Sequence, residues 1–215
     1  IRQRPYGIVA NPSENPKAIF ISAFDTNPLA PDTDFIMSGK ESHFQTGLDA
    51  LRQLTTGKIH LNVKANTAPA PVFSQAENVQ INTISGPHPA GNVGVQIHHI
   101  DPINKGEIIW YINPQDVVII GKLFDQGIFD ASRILAVTGS QVNNPKYYKT
   151  IVGSSIKNIL TEAGLKKGDN RIISGSILSG SQIPADGYLG FYDSQITAIR
   201  EGNEYEFMGW LAPGF

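Results

Sequence analysis

The order strand, helix, strand between residues 18 and 64 constrains the fold of this chain most strongly. Residues 18–24, AIFISAF, form a continuous apolar run that is typical of a strand covered on both faces. Residues 58–64 alternate apolar and polar side chains, which predicts a half-buried strand. The residues between them carry one apolar helical face, formed by Phe44, Leu48, Leu51 and Leu54. This order predicts two parallel strands in an α/β sheet.

Further short elements continue this pattern. Strands are predicted at residues 79–84 and 108–112, and residues 93–100 are predicted to be helical or extended. Residues 27–39 are predicted to form a turn-rich loop and residues 66–74 a linker. The helix that follows residue 112 has Asn113 as a cap and Pro114 in its first position, and we predict that it ends at Gly127.

The order of elements changes after Arg133. Two strands come first, at residues 134–138 and 147–152. A short helix ended by Gly164 follows, and then strands at residues 172–178, 195–200 and 205–210. This order is that of a β-grasp domain. We therefore predict four segments, namely an extended lead-in (1–16), an α/β domain (17–130), a β-grasp domain (131–210) and a tail (211–215).

Composition excludes several functions. The formal net charge is −2 and no run of basic residues is present, so no nucleic-acid partner is expected. The absence of cysteine excludes thiolate metal sites, iron–sulfur clusters and a cysteine nucleophile. The apolar stretch at residues 117–120 is far shorter than the roughly 20 residues that span a bilayer. The chain begins at Ile1, and we interpret it as a piece of a longer protein, with membrane association expected through a partner or another segment.

A glycine-rich turn covers residues 86–94. The spacing of Gly86, Gly91 and Gly94 matches neither G-x-G-x-x-G nor G-x4-G-K-[ST]. Pro87 and Pro89 also lack the backbone N–H groups that would bind a phosphate. We therefore predict a structural turn that lies near a ligand, with Gly86, His88 and Gly91 as its candidate residues. Phosphate binding is the alternative.

No catalytic or metal-binding residues are predicted. Some residues suit a metal in type, namely His88, His98, His99 and Asp101. Adjacent histidines point in different directions, however, so hydrogen-bonded or solvated histidines are the better interpretation. Several serines lie in the stretch SGSILSGS, but none is in a G-x-S-x-G motif, so hydrolase chemistry is not predicted.

The lead-in contains the best candidates for ligand contact. Arg2 and Arg4 can donate hydrogen bonds to carbonyl oxygens of a ligand, and Tyr6 can form an aromatic wall. These three residues are therefore the candidates for ligand contact. The alternative is a solvated linker or a salt bridge to a neighbouring domain.

Three stretches, in order along the chain, resemble one family. The first combines RQRPY at residues 2–6 with AIFISAFDTNPLA at 18–30. The second combines GPHPAGNVGVQIHHIDP at 86–102 with NPQDVVIIGKLF at 113–124. The third combines NRIISGSILSG at 170–180 with YLG at 188–190 and GW at 209–210. On these motifs the chain resembles the A subunit of the bacterial sodium-translocating NADH:quinone oxidoreductase.

The resemblance implies a fold and a role. The implied fold is α/β, with a Rossmann-like parallel-sheet domain followed by a soluble-ligand-binding β-grasp domain. In this family the A subunit is peripheral, on the cytoplasmic face of the bacterial inner membrane, where it docks on the membrane subunits. It has no redox cofactor, because the flavins and iron centres are on partner subunits. The expected role is to help shape the quinone site of an enzyme complex, without catalysis by this fragment alone. The resemblance thus implies that the ligand expected near Arg2, Arg4 and Tyr6 is a quinone.

Two other functions remain open from the residues. The first domain could be a nucleotide- or flavin-binding dehydrogenase domain, and the second could be a β-grasp module that binds a small ligand. The prolines of the glycine-rich turn argue against the first alternative. The second is supported by fold resemblance only.

Overall fold

The computed structural model describes residues 1–203, 205 and 207–211, in which the strands form two sheets. The strands of the first sheet are β1 (Arg2–Arg4), β2 (Ile8–Val9), β3 (Ala18–Ser22), β4 (Lys58–Lys64), β5 (Gln80–Ile84) and β6 (Ile109–Ile112). Their order across the sheet is β2-β1-β6-β3-β4-β5. Strands β6, β3, β4 and β5 are parallel, whereas β1 pairs antiparallel with both β6 and β2. The predicted lead-in therefore contains two strands that extend the sheet.

Helices cover both faces of this sheet. They are α1 (Thr33–Met37), α2 (Glu41–Arg52), α3 (Pro71–Ser74), α4 (Val93–Ile100) and α5 (Pro114–Gln126). Helices α1, α2, α3 and α5 share one core with alternate side chains of the strands, such as Ile19 and Ile21. On the opposite face, Ile97 of α4 packs with Phe20 and Ile109. Strand β3 is thus buried on both faces, which confirms the prediction from its apolar run.

The prediction of a half-buried β4 is wrong. His60 is only 3% exposed and Asn62 is fully buried, although both occupy the expected polar face. The reason is a hydrogen-bonded network that reaches α4. Asn62 donates to the side-chain oxygen of Gln96 at 2.8 Å and accepts from Asn82 at 2.8 Å, and Gln96 donates to Ser22 at 2.9 Å. Because these amides satisfy one another, Asn62 can be buried beneath a helix.

Helices α2 and α5 cross at two glycines. A Cβ atom built on Gly47 would lie 2.2 Å from the carbonyl oxygen of Val117. A Cβ atom on Gly121 would lie 1.7 Å from the carbonyl oxygen of His43. Real Cβ atoms do not approach a backbone oxygen so closely, so the helices can pack at this distance only because both positions lack a side chain.

The second sheet contains the remaining five strands. They are β7 (Ser132–Thr138), β8 (Lys146–Ile151), β9 (Asn170–Ser174), β10 (Ser181–Ile183) and β11 (Gln195–Arg200), in the order β10-β9-β11-β7-β8. Strands β11 and β7 are parallel, and the other pairs are antiparallel. Helix α6 (Lys157–Ala163) contributes Leu160 and Ala163 to the core of this sheet. Its C-terminal cap is Gly164, as predicted.

Several other sequence-based elements need correction. The predicted loop at residues 27–39 contains α1, and the predicted linker at 66–74 contains α3, because each segment buries two apolar side chains. The predicted strand at 172–178 ends at Ser174, and a turn then leads to β10. At the end of the predicted strand at 205–210, residues Gly209–Leu211 form a 3-10 turn that continues into the predicted tail, and residue 206 lies outside the described part. Residues 212–215 of the predicted tail also lie outside it.

Side chains from α1 and α5 join the two sheets. The side chain of Gln115 donates to the carbonyl of Ile134 at 3.0 Å and accepts from the amide of the same residue at 2.8 Å. The backbone amide of Asp32 donates to the hydroxyl of Tyr147 at 2.8 Å. The ring of Tyr147 also lies 4.8 Å from that of Phe35. The two sheets are therefore connected by specific hydrogen bonds.

The segment between α5 and β7 is held by Asp130, and this predicts a pH effect. Lys122 donates to the carboxylate at 2.5 Å, and the amide of Ser132 donates at 3.0 Å. The Lys122 bond comes first among the causes that hold the pKa of Asp130 well below its usual value of 3.8. A lowered folded pKa contributes stability above the unfolded pKa, and that contribution is lost as the pH falls below about 4.

We therefore expect Asp130→Asn to lower stability at pH 7 by less than about 1 kcal/mol, since the pair is partly exposed. The difference from the wild type should shrink progressively as the pH falls from about 4 towards the lowered folded pKa. Urea unfolding across this range measures it, with the exposed Asp186→Asn as the control. An Asp130→Asn difference that is unchanged at low pH would contradict the assignment.

Candidate functional site

The strand order places a crevice between β3 and β6. From β3 the chain moves to β4 and β5 on one side, and it then crosses back through α4 to β6 on the other side. The strand order therefore reverses between β3 and β6, although the helices that follow these two strands lie on the same face of the sheet. In open α/β sheets, this reversal opens a crevice that commonly holds ligands.

The crevice has a volume of about 550 Å³, and we call it the switch-point cleft. It is bounded by residues that follow β3, by the beginning of α4, and by the end of β6 with the beginning of α5. Three arginines from two strands also line it, namely Arg2 and Arg4 of β1 and Arg133 of β7. A smaller pocket of about 270 Å³ shares Arg2 and Tyr111 with the cleft and adds Tyr192.

Arg2 is held firmly by its own hairpin. Its Nε and Nη2 atoms donate to the carbonyl of Gly7 at 3.0 and 2.5 Å. The guanidinium carbon lies 4.9 Å from the centre of the Tyr192 ring and 5.7 Å from that of Tyr111. The cation–π contact with Tyr192 joins β1 to the segment that precedes β11.

Arg4 also lies over the ring of Tyr111. Its guanidinium carbon is 5.2 Å from the ring centre. Its Nε atom is buried and has no hydrogen-bond partner among the described residues. The guanidinium is also adjacent to Gly94, because a Cβ atom built there would lie 3.6 Å from it. Arg4 thus extends from β1 to the first turn of α4.

Arg133 is the most deeply buried cation of the site. Its side chain is 1% exposed, and its Nη2 atom forms an ion pair with Asp116 of α5. Its Nε and Nη1 atoms have no partner within the part of the chain that the structure describes. Burial raises the pKa of the Asp116 carboxyl, and the positive charge of Arg133 offsets only part of this effect. The ion pair is therefore a costly arrangement in a dry environment.

The glycine-rich turn uses its amides inside the protein. Ala90 donates to the carbonyl of Pro87 at 2.9 Å, and Asn92 donates to that of Pro89 at 2.8 Å. The amide of Gly91 donates to the hydroxyl of Thr26 at 2.9 Å. A side chain at Gly91 would collide with the backbone of Thr26, at 2.5 Å from its nitrogen. These three amides are therefore not available to a ligand.

The structure brings together only some of the predicted site residues. Arg2, Arg4 and Gly91 line the switch-point cleft. Tyr6 is 84% exposed on the hairpin, and Gly86 and His88 do not line the cleft. His88 instead contacts the hydroxyl of Thr26 at 3.2 Å. Among the described residues, no group of three or more histidine, aspartate or glutamate side chains is placed to hold a metal ion.

Sequence reasoning missed Arg133 and Gly94. Arg133 immediately precedes a predicted strand, and its burial depends on α5, which comes from another part of the fold. Gly94 was considered only as the third glycine of the turn, whereas it lies in the first turn of α4. The contacts of Tyr192 with Arg2 and of Tyr111 with Arg4 depend on the tertiary structure.

Comparison with known proteins decides the family. The model described as "NqrA second alpha/beta domain" matches residues 1–129. The chain belongs to the NqrA family. A second model, described as "NQRA C-terminal domain", matches residues 134–185. The family resemblance that the sequence motifs indicated is confirmed.

Relatives support the assignment to NqrA over the whole chain. The A subunit of the Na(+)-translocating NADH-quinone reductase from Yersinia pseudotuberculosis serotype O:1b is 45% identical over 217 aligned residues, which cover 100% of this chain and 47% of the relative. The protein of the same name from Pasteurella multocida is 42% identical and is covered to 48%. The chain therefore spans about half the length of these relatives.

One solved structure shows a similar fold. The crystal structure of NAD+-reducing [NiFe]-hydrogenase in the air-oxidized state superimposes with a TM-score of 0.62, at 15% identity, over 88% of this chain and 41% of that chain. At this identity the likeness supports the mixed α/β fold alone. Among the described residues of the NqrA chain, no helix is long and apolar enough to cross a bilayer.

Proposed function

We propose that this NqrA chain is part of a peripheral subunit that docks on the membrane subunits of a sodium-pumping NADH:quinone reductase and helps to shape its quinone site. Family membership supports the enzyme complex, because the relatives carry its name. The proposed location is the cytoplasmic face of the inner membrane. The chain would act by contact and shape, without catalysing a redox step itself.

The finer fold assignment is also a proposal. The parallel order β5-β4-β3-β6 supports a Rossmann-like first domain, because the chain starts in the middle and builds outward on both sides. In the second sheet, the first and last strands are parallel neighbours and one helix follows the first hairpin, which supports a β-grasp domain. We place the boundary between them near residue 131.

The positions of Arg2 and Arg4 beside the ring of Tyr111 are the observation that supports the proposed quinone contact. Both guanidinium groups lie within 6 Å of that ring, at the carboxyl edge of the sheet. A quinone requires hydrogen-bond donors for its carbonyl oxygens and an aromatic surface for its ring. Tyr6 lies on the same hairpin and is 84% exposed, so its ring is accessible to a ligand held between subunits.

The absence of a bound redox cofactor from this chain is proposed on the basis of the glycine-rich turn. Its amides at residues 90–92 are already hydrogen-bonded within the protein, so these three amides offer no donors for the phosphates of a flavin or nicotinamide. We propose that flavins and iron centres are bound by partner subunits. Purified chain should be colourless, and flavin absorption that persists after gel filtration would contradict this proposal.

Labelling of the intact complex with a photoreactive quinone tests whether residues 1–6 contact the quinone. We expect the label on residues 1–6, with the labelling reduced by excess unlabelled quinone. Tyr6→Ala should raise the KM for quinone by about 3- to 10-fold with little change in NADH oxidation, as expected for the loss of one aromatic contact. Tyr188→Ala serves as a control, because this tyrosine is also exposed but lies in the second domain. Labelling confined to other subunits would exclude direct contact.

A further inference from the structure

The first turn of α4 presents free backbone donors to the switch-point cleft. The amides of Val93 and Gly94 have no acceptor among the described residues, whereas Val95 and Gln96 already donate to the carbonyl of Asn92. Asn92 occupies the N-cap position, but its side chain makes no capping hydrogen bond. The positive end of an eight-residue helix is therefore left open towards the cleft.

A buried arginine points independently to an anion in the same cleft. Arg133 lines the cleft and is 99% buried, yet two of its three guanidinium nitrogens lack a partner among the described residues. Buried donors of a charged group are costly when they are unsatisfied. The single carboxylate of Asp116 occupies only Nη2. A ligand with several acceptor oxygens would satisfy the remaining nitrogens.

Arg4 supplies a second cation next to the helix. Its guanidinium lies adjacent to Gly94, and its buried Nε also lacks a partner within the described chain. Cation–π contact with Tyr111 holds the group in place without using its N–H donors. Arginine is well suited to phosphate because its N–H groups form a planar fork.

The charge balance of the cleft is positive. The acidic residue that lines it is Asp25, which is exposed and accepts hydrogen bonds from the backbone and side chain of Asn27. Asp116 is paired with Arg133. The positive charges of the cleft therefore outnumber its carboxylates, because three arginines line it, namely Arg2, Arg4 and Arg133. The helix amides add further positive potential.

We infer that the switch-point cleft binds a phosphate-bearing small molecule, with the phosphate held by Arg4, Arg133 and the amides of Val93 and Gly94. A volume of about 550 Å³ is within the range of small-molecule sites and exceeds the requirement of a lone phosphate. Apolar side chains that could contact the rest of the molecule are Phe24, Ile36 and Ile112. The ligand class is a phosphomonoester on an organic body, such as a nucleoside monophosphate. This site goes beyond the proposed quinone contact, because a quinone carries no phosphate.

Calorimetric titration of the 215-residue chain tests the inference with AMP, adenosine, glycerol 3-phosphate and inorganic phosphate. We expect AMP to bind and adenosine not to bind, because recognition depends on the phosphate. If AMP binds more tightly than glycerol 3-phosphate, the phosphate group that the site recognises belongs to a nucleotide. Equal binding of the two would assign the site to phosphomonoesters such as lipid head-groups. The absence of binding by all three phosphate compounds would overturn the inference.

Two variants and one control locate the site. Arg4→Gln should weaken AMP binding at least 10-fold. Gly94→Asp should abolish it, because a carboxylate in the first turn would occupy the place of the phosphate beside Arg4 and would also suit the helix dipole. Lys105→Gln removes an exposed positive charge elsewhere and should leave binding unchanged. Thermal melting confirms that each variant is folded, and undiminished binding by folded Gly94→Asp would show that the ligand lies elsewhere.

Discussion

Gly121→Ala is expected to destabilise the protein by about 3 kcal/mol or more, at the upper end of the range for overpacked cores. The added methyl group would lie 1.7 Å from the carbonyl oxygen of His43. A backbone oxygen of a helix cannot move aside as the end of a flexible side chain can. Helices α2 and α5 would therefore have to separate, and the core between them and the sheet would lose contacts.

Urea unfolding measures this effect, with Gln126→Ala as the control in the same helix. Gln126 is exposed, so its replacement by a good helix former should change stability by less than about 0.5 kcal/mol. Gly47→Ala should also destabilise strongly, because its methyl group would lie 2.2 Å from the carbonyl oxygen of Val117. The double variant should be less destabilised than the sum, since one separation of the helices relieves both collisions. Near-wild-type stability of Gly121→Ala would show that the crossing is less close than described.

Asp116→Ala should cost about 3–5 kcal/mol, as is typical when one partner of a buried ion pair is removed. Arg133 would then be a buried guanidinium without a carboxylate, since its side chain is 1% exposed and its other nitrogens already lack partners among the described residues. The pair lies between α5 and β7, so we expect the connection between the two sheets to weaken. Loss of cooperativity in urea unfolding would reveal separate transitions of the two domains.

A double variant separates the cost of an unpaired charge from the value of the pair. Asp116→Leu combined with Arg133→Met should recover most of the loss, because apolar replacement of a buried ion pair is often neutral or stabilising. The surface pair of Lys146 and Glu162 is the matched control, with side chains 49% and 61% exposed, and its removal should have little measurable effect. If the buried double variant is as unstable as Asp116→Ala, the pair itself contributes to stability.

The first and last strands of the α/β unit could be predicted because their apolar residues are contiguous in sequence. The run at residues 18–24 requires two covered faces wherever it folds, and Gly127 and Gly164 end their helices through local backbone geometry. The short helices α1 and α3 could not be predicted. Each has only two buried apolar side chains, which is too few to form a repeated local pattern. These side chains are buried by contact with distant elements of the fold.

The candidate site was predicted only in part. Arg2 and Arg4 were identified because their side-chain chemistry is unusual in a short segment, whatever its fold. The lead-in was expected to be extended, but its pairing with β6 could not be inferred from polar residues. This pairing is what places Arg4 beside α4, which is about 90 residues further along the chain.

The sequence by itself determined the family, the α/β class of the first domain and the helix-ending glycines, because motifs, apolar periodicity and capping are properties of neighbouring residues. Only the tertiary structure decided that Asn62 is buried, that the amides of the glycine-rich turn are occupied, and that arginines from β1 and β7 line one cleft. Burial and hydrogen-bond satisfaction depend on which surfaces meet. Those contacts join residues far apart in sequence, so no local pattern encodes them.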